Sequence, residues 1–170
     1  MTPLVSIIMG STSDMPVMQE AAQFLNDMQI PFEINALSAH RTPDLVADFS
    51  KNAASRGIKV IIAAAGGAAH LPGVIAASTP LPVIGVPIKA SMSMDGWDSI
   101  LSIIQMPPGI PVATVGINAA KNSAILACQI LSLTDPEIKT RVEKFKNSLA
   151  QKIAKANEDL AKIKFDYKTN

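Results

Sequence analysis

Lys59-Val60-Ile61-Ile62-Ala63-Ala64-Ala65-Gly66-Gly67-Ala68-Ala69-His70-Leu71-Pro72-Gly73 is the stretch from which the fold is read. Its first part, Lys59–Ala64, is apolar without alternation after the lysine, as in a strand buried on both faces. A glycine pair ends it, and a short helix-like segment, 72–78, follows. Outward in both directions the same unit repeats. Further β-rich runs lie at Leu4–Met9, Phe32–Leu37, Pro82–Val86 and Pro111–Val115. Helix-like segments fill the gaps at 15–29, 42–56, 95–105 and 118–132. The segment 42–56 opens with Thr42-Pro43-Asp44, an N-cap with proline at the first helical position, and stops at Gly57. The segments 95–105 and 118–132 open at Asp95 and Asn118.

Strand and helix in alternation call for a parallel sheet with helices on both faces. Right-handed crossovers leave few topologies. Among doubly wound folds we expect a flavodoxin-like three-layer sandwich with strand order 2-1-3-4-5. Residues 1–134 form this unit. Residues 135–170 read as its helical extension, opening at Thr134-Asp135-Pro136-Glu137, which resembles a capping box. Ile138, Val142, Phe145, Leu149, Ile153, Ala156, Leu160, Ile163 and Tyr167 recur there with an average step of about 3.6 residues. A helix of that length reaches across its own domain. Two placements stay open, on its own sheet or against a neighbouring subunit, and the second is the expectation carried forward.

The chain has 170 residues, 48% hydrophobic and 17% charged, a composition that excludes a disordered polyelectrolyte. The formal net charge is +1 and aromatics are 4%, so neither nucleic acid nor an anionic membrane is an expected partner. The single cysteine, Cys128, allows no internal disulfide and no cysteine-based metal cluster. No secretory signal and no membrane span are read, and a cytoplasmic location is expected. Charge is uneven: residues 1–134 carry 14 charged side chains and residues 135–170 carry 15. So little charge over the larger part suggests a surface partly covered by self-association.

In such a sheet, ligands bind beyond the carboxyl ends of the strands, where the strand order reverses. Three loops are expected there: Gly10-Ser11-Thr12-Ser13-Asp14, Ser38-Ala39-His40-Arg41-Thr42-Pro43, and Ala65 through Gly73. They hold both histidines and one of three arginines. In the first loop a glycine, two serines and a helix start suit an anion. Ser13 or Asp14 as a plain helix cap is the competing reading, with Ser11 left to bind. Asp14 also suits sugar hydroxyls. Arg41, beside a helix N-terminus, suits a phosphate, with a surface ion pair as the alternative. His40 is the side chain suited to move protons at neutral pH. Gly66 and Gly67 allow close approach of the backbone to a ligand or a positive φ. His70 is placed to cap or orient. Met92, Met94 and Trp97 read either as a lid or as packing. No HExxH, GxSxG, Walker A or GxGxxG pattern is present, so no catalytic metal is expected.

Taken together, these three loops closely resemble the N5-carboxyaminoimidazole ribonucleotide (N5-CAIR) mutases, the PurE family of purine biosynthesis. Gln105-Met106-Pro107-Pro108-Gly109-Ile110-Pro111-Val112 is similar to a later signature of that family, and the likeness runs over about residues 4–133. The resemblance implies a homo-octamer with no metal, ATP or organic cofactor, acting on a small ribonucleotide. It implies that Ser11, Ser13 and Arg41 bind the phosphate and Asp14 the ribose. Ser38, His40, Gly66, Gly67 and Leu71 would surround the imidazole and the migrating CO2, with His40 as general acid and base and His70 nearby. A second class in the family carboxylates aminoimidazole ribonucleotide (AIR) with CO2. That class has lysine after the histidine and Gly-Arg-Ser-Asn in the third loop. This chain has Arg41 and Gly-Gly-Ala-Ala-His, as in the mutase class. A non-catalytic flavin or nucleotide binder of the same fold is the other alternative.

Overall fold

The computed structural model describes residues 1–170. Five parallel strands form one sheet in the order β2-β1-β3-β4-β5, as expected. They are β1 (Val5–Met9), β2 (Phe32–Ala36), β3 (Val60–Gly66), β4 (Val83–Ile88) and β5 (Ala113–Thr114). The helices are α1 (Met15–Asp27), α2 (Pro43–Asn52), α3 (Leu71–Ala76), α4 (Trp97–Ile104), α5 (Ala120–Leu131) and α6 (Pro136–Ala161).

The three central strands are buried along nearly their whole length, which is why their sequences do not alternate. Side chains of opposite parity supply two cores. Val5, Ile7, Met9, Val60, Ile62, Ile84 and Val86 pack with α1, α5 and the start of α6. Ile8, Ile61, Ala63 and Val83 pack with Val46 and Phe49 of α2, Ile75 of α3 and Ile103 of α4. Gly85 makes this second layer possible, since a Cβ there would lie 2.5 Å from Ile103 Cγ2. Cys128 is fully buried in the first core, and burial pushes its thiol up to about 11, so it is inert at neutral pH.

The ends of the elements differ from expectation for local reasons. β5 is two residues long rather than five, because it is an edge strand that pairs with β4 only at Ile84–Ala113 and Gly85–Thr114. α4 begins at Trp97 rather than Asp95, because Asp95 (φ +54°) and Gly96 (φ +86°) both take left-handed backbone. α5 begins at Ala120 because Asn118 is left-handed too, at φ +56°. Asp135 caps α6, accepting from the Glu137 and Ile138 N–H groups at 2.9 and 3.0 Å.

α6 ends at Ala161, so Ile163 and Tyr167 of the apolar series fall outside it. Its 26 residues span about 39 Å. Ile138 and Val142 are buried, and Phe145 meets Phe24 of α1 edge-to-face at 4.9 Å. Every residue from 149 to 161 is exposed. The helix therefore seats its first turns on its own chain and leaves the rest of its apolar stripe in solvent.

Candidate active site

Because the strands run parallel, every loop after a strand leaves the sheet at the same edge. From β1 the chain turns into α1 on one face, while β2 and β3 lead into α2 and α3 on the other. A crevice opens where these directions diverge. It holds a cavity of about 460 Å3 lined by all three expected loops. Ser11, Asp14, Ser38, His40, Arg41, Gly66, Gly67, His70 and Leu71 all border it. Ser13 is the one expected site residue that does not.

The first loop folds into a single 3₁₀ turn, Thr12–Asp14, ahead of α1. Its cap is Ser11, whose Oγ accepts from the Ser13 N–H at 3.3 Å. Neither Ser13 nor Asp14 uses its side chain as a cap. Ser13 instead donates its hydroxyl to Asp14 Oδ1 at 3.3 Å. Asp14 is only 7% exposed. Burial raises its carboxyl pKa above the ordinary 3.8, against the smaller lowering from the Ser13 hydrogen bond.

The second loop is tied internally. The Thr42 hydroxyl accepts from the Ser38 N–H at 3.0 Å and donates to the Ser38 carbonyl at 3.1 Å, so Thr42 braces the turn instead of capping α2. Arg41 binds the same serine, through its backbone N–H at 3.2 Å and its Nε–H at 3.3 Å. Its Nη2–H donates to the Gly10 carbonyl at 2.6 Å. No acidic partner takes Arg41, so the surface ion pair does not form. The guanidinium joins the first two loops and keeps Nη1 free.

His40 and His70 meet across 30 positions of sequence: His40 Nε2 lies 2.6 Å from His70 Nδ1, with rings edge-to-face at 86°. One ring donates and the other accepts, so each fixes the tautomer of the other. His70 makes no side-chain cap to α3. The two glycines serve different ends. Gly67 takes φ +60° beside open space, while Gly66 lets Ala90 approach so closely that a Cβ would sit 2.7 Å from Ala90 Cβ. That close neighbour is protein rather than ligand.

The model of a family described as AIR carboxylase matches residues 4–152. The chain belongs to the AIR carboxylase family. An N5-carboxyaminoimidazole ribonucleotide mutase of Pyrococcus abyssi is 59% identical over 147 residues, 86% of this chain and 84% of that protein. One of Thermotoga maritima is 53% identical over 161 residues, 95% of this chain and 94% of that protein. A crystal structure of Treponema denticola PurE matches with a TM-score of 0.83 at 35% identity, over 93% of this chain and 98% of that one.

In this member of the AIR carboxylase family the cavity has walls that the residue pattern alone does not single out. Ala39, Ala65, Ala68, Ala69 and Ala90 line the cavity. Alanines carry no chemical signal, and only their place beside the reactive loops gives them meaning. Met92 lines it too, from the loop after β4. A second, mostly apolar cavity of about 670 Å3 shares His40, His70, Ala39, Ala68 and Ala69 with the first, and extends to Val74, Met106 and Ile110.

Proposed function

We propose that this chain is an N5-CAIR mutase, moving the carboxylate of its substrate from the exocyclic nitrogen to ring carbon C4 to give the C4-carboxylate, CAIR. The observation that carries the reading is the convergence of two histidines, one arginine, a serine turn and a glycine pair on a single cavity walled by small residues. Ser11 and the free Nη1 of Arg41 face a phosphate, with Ser13 supporting Asp14, whose carboxylate takes the ribose hydroxyls. Ser38, His40, Gly66, Gly67 and Leu71 then surround the imidazole, and His70 orients His40.

The reaction needs one proton moved twice. Protonated His40 gives its proton to the carbamate nitrogen as the C–N bond breaks, the electron pair stays on nitrogen, and CO2 is released. C4 of the electron-rich ring attacks that CO2, and neutral His40 takes the C4 proton as the ring regains aromaticity. Histidine returns to its first state and no net proton is consumed. Phosphate and ribose contacts hold the ring in place while CO2 is free. No step calls for a metal or an organic cofactor.

We further propose a cytoplasmic homo-octamer in which residues 1–134 form the catalytic body and residues 135–170 extend it, with the exposed part of α6 beyond residue 148 packing on a neighbouring subunit. The exposed stripes Trp97, Leu101 and Ile104 on α4, and Leu149 and Ile153 on α6, support association. No helix is long and apolar enough to cross a membrane.

The deciding experiment supplies either the carbamate isomer or AIR with bicarbonate, and follows product absorbance. The mutase reading expects turnover of the carbamate at low bicarbonate. Turnover of AIR with bicarbonate alone would make the chain a direct carboxylase.

A further inference from the structure

Residues 89–96, between β4 and α4, have no part in the roles assigned above, yet Ala90 and Met92 line the cavity. Both ends of this loop are held. The Lys89 N–H donates to Asn118 Oδ1 at 2.9 Å, and the Asn118 N–H donates to the Pro87 carbonyl at 2.9 Å. Ala90 is packed against Gly66. At the other end the Gly96 N–H donates to Ser93 Oγ at 3.0 Å, and Gly96 sits so close to Ile117 that a Cβ would meet its Cγ2 at 2.7 Å. Lys89 and Asp95 join the two ends at 2.7 Å. Within the tip the Ser93 N–H donates to the Ala90 carbonyl at 3.0 Å, while the methionine side chains stand in solvent: Met92 is 88% exposed and Met94 72%. A loop anchored at both ends, with a flexible apolar side chain at the cavity mouth, has the build of a lid.

We infer that Met92 is a positioning residue that folds over the occupied cavity and retains the released CO2. This rests on the mutase reading above. Free CO2 is uncharged and weakly held by hydrogen bonds, so apolar walls and a closed mouth must keep it. Ala39, Ala65, Ala68, Ala69 and Leu71 supply the walls. Met92 supplies the cover from the fourth loop. Without it, CO2 diffuses away after C–N cleavage, AIR keeps the proton given by His40, and water reprotonates His40.

The test uses the full-length protein and substrate labelled with 14C in the carbamate carboxylate, in a buffer of unlabelled bicarbonate. Wild-type protein keeps most of the label in its C4-carboxylated product. Met92→Ser raises the fraction of label lost roughly threefold or more, the effect of a methylene-sized contact removed, with KM for the nucleotide little changed. Met92→Leu, which keeps the apolar volume, retains label like the wild type. Because Met92 is exposed, neither variant endangers folding. Unchanged retention in Met92→Ser overturns the inference, as does slower turnover with unchanged retention, or complete label loss in the wild type. Failure of the wild type to make any product from the carbamate overturns the mutase reading itself, and so is distinguishable from these.

Discussion

The loop rim and the outer half of α6 are both left open, in opposite senses. The rim exposes polar groups at the end of a sheet whose centre is buried: Ser11 and His70 follow the buried strands β1 and β3, and His40 and Arg41 follow the edge strand β2. α6 exposes apolar groups on a helix whose first turns alone are seated. Unmet hydrogen-bonding capacity at a strand edge calls for a small polar ligand. Unmet apolar area along a helix calls for another protein surface. The contrast separates the part of the chain that suits a small ligand from the part that suits a protein surface.

The strongest way to break this division is His40→Asn. Turnover is expected to fall about a thousandfold, with KM changed little, because the proton carrier is lost while the phosphate and ribose contacts stay. Steady-state kinetics with the carbamate substrate reads both, and near-normal turnover would remove His40 from the chemistry.

Within α6 the contrast is sharpened by two isoleucines. Ile138 is 2% exposed and Ile153 66%. Ile138→Ala should cost about 2–5 kcal/mol, or roughly 5–15 °C in melting temperature. Ile153→Asp should leave the fold of the chain intact and shift its mass in light scattering toward smaller species. An unchanged mass would place the helix stripe outside any subunit contact.

Arg41→Ala tests the rim from the side of binding. Removing a charge-assisted phosphate contact should raise KM roughly 10- to 100-fold, with a smaller effect on kcat. A loss confined to kcat would mean that the guanidinium serves its link to Gly10 and not the substrate.

Asp14 gives the smallest effect and a signed one. Its folded pKa lies above the ordinary 3.8, so the folded state holds this proton more tightly than the unfolded chain does. The resulting stabilisation is complete below the unfolded value and is lost as pH rises through the folded one. At neutral pH the buried carboxylate therefore costs stability, and Asp14→Asn should raise the melting temperature slightly. In the proposed role the ionised carboxylate accepts from the ribose hydroxyls, so wild-type KM should climb as pH falls toward the raised value, while the KM of Asp14→Asn stays flat. Parallel pH profiles for both proteins would exclude the ribose role.

Much of the rim was legible because its chemistry is local. His40-Arg41 next to Thr42-Pro43, and the glycine pair after an apolar run, identify loop residues at strand ends without coordinates. Ser13 lies outside the cavity lining and donates to Asp14, a distinction hidden in the sequence because a serine beside a helix start reads alike whether it faces a ligand or backs its neighbour. Met92 read equally well as lid or packing because an exposed methionine in a loop carries no motif, and its place at the cavity is visible only in the structure. The left-handed turns at Asp95 and Asn118 shifted two helix starts by a pair of residues, since Asp and Asn are favoured both as helix caps and in left-handed backbone.

By itself, the sequence determined the strand-helix alternation, the buried centre of the sheet and the period of α6. These follow from patterns between near neighbours, where burial and backbone geometry repeat at short intervals. Tertiary structure alone decided that His40 meets His70, that Arg41 reaches the Gly10 carbonyl, and that Ala90 needs Gly66 to be bare. Those pairs lie 24 to 31 positions apart. Only the crossing of strands and helices sets such distances, and a one-dimensional pattern does not encode them.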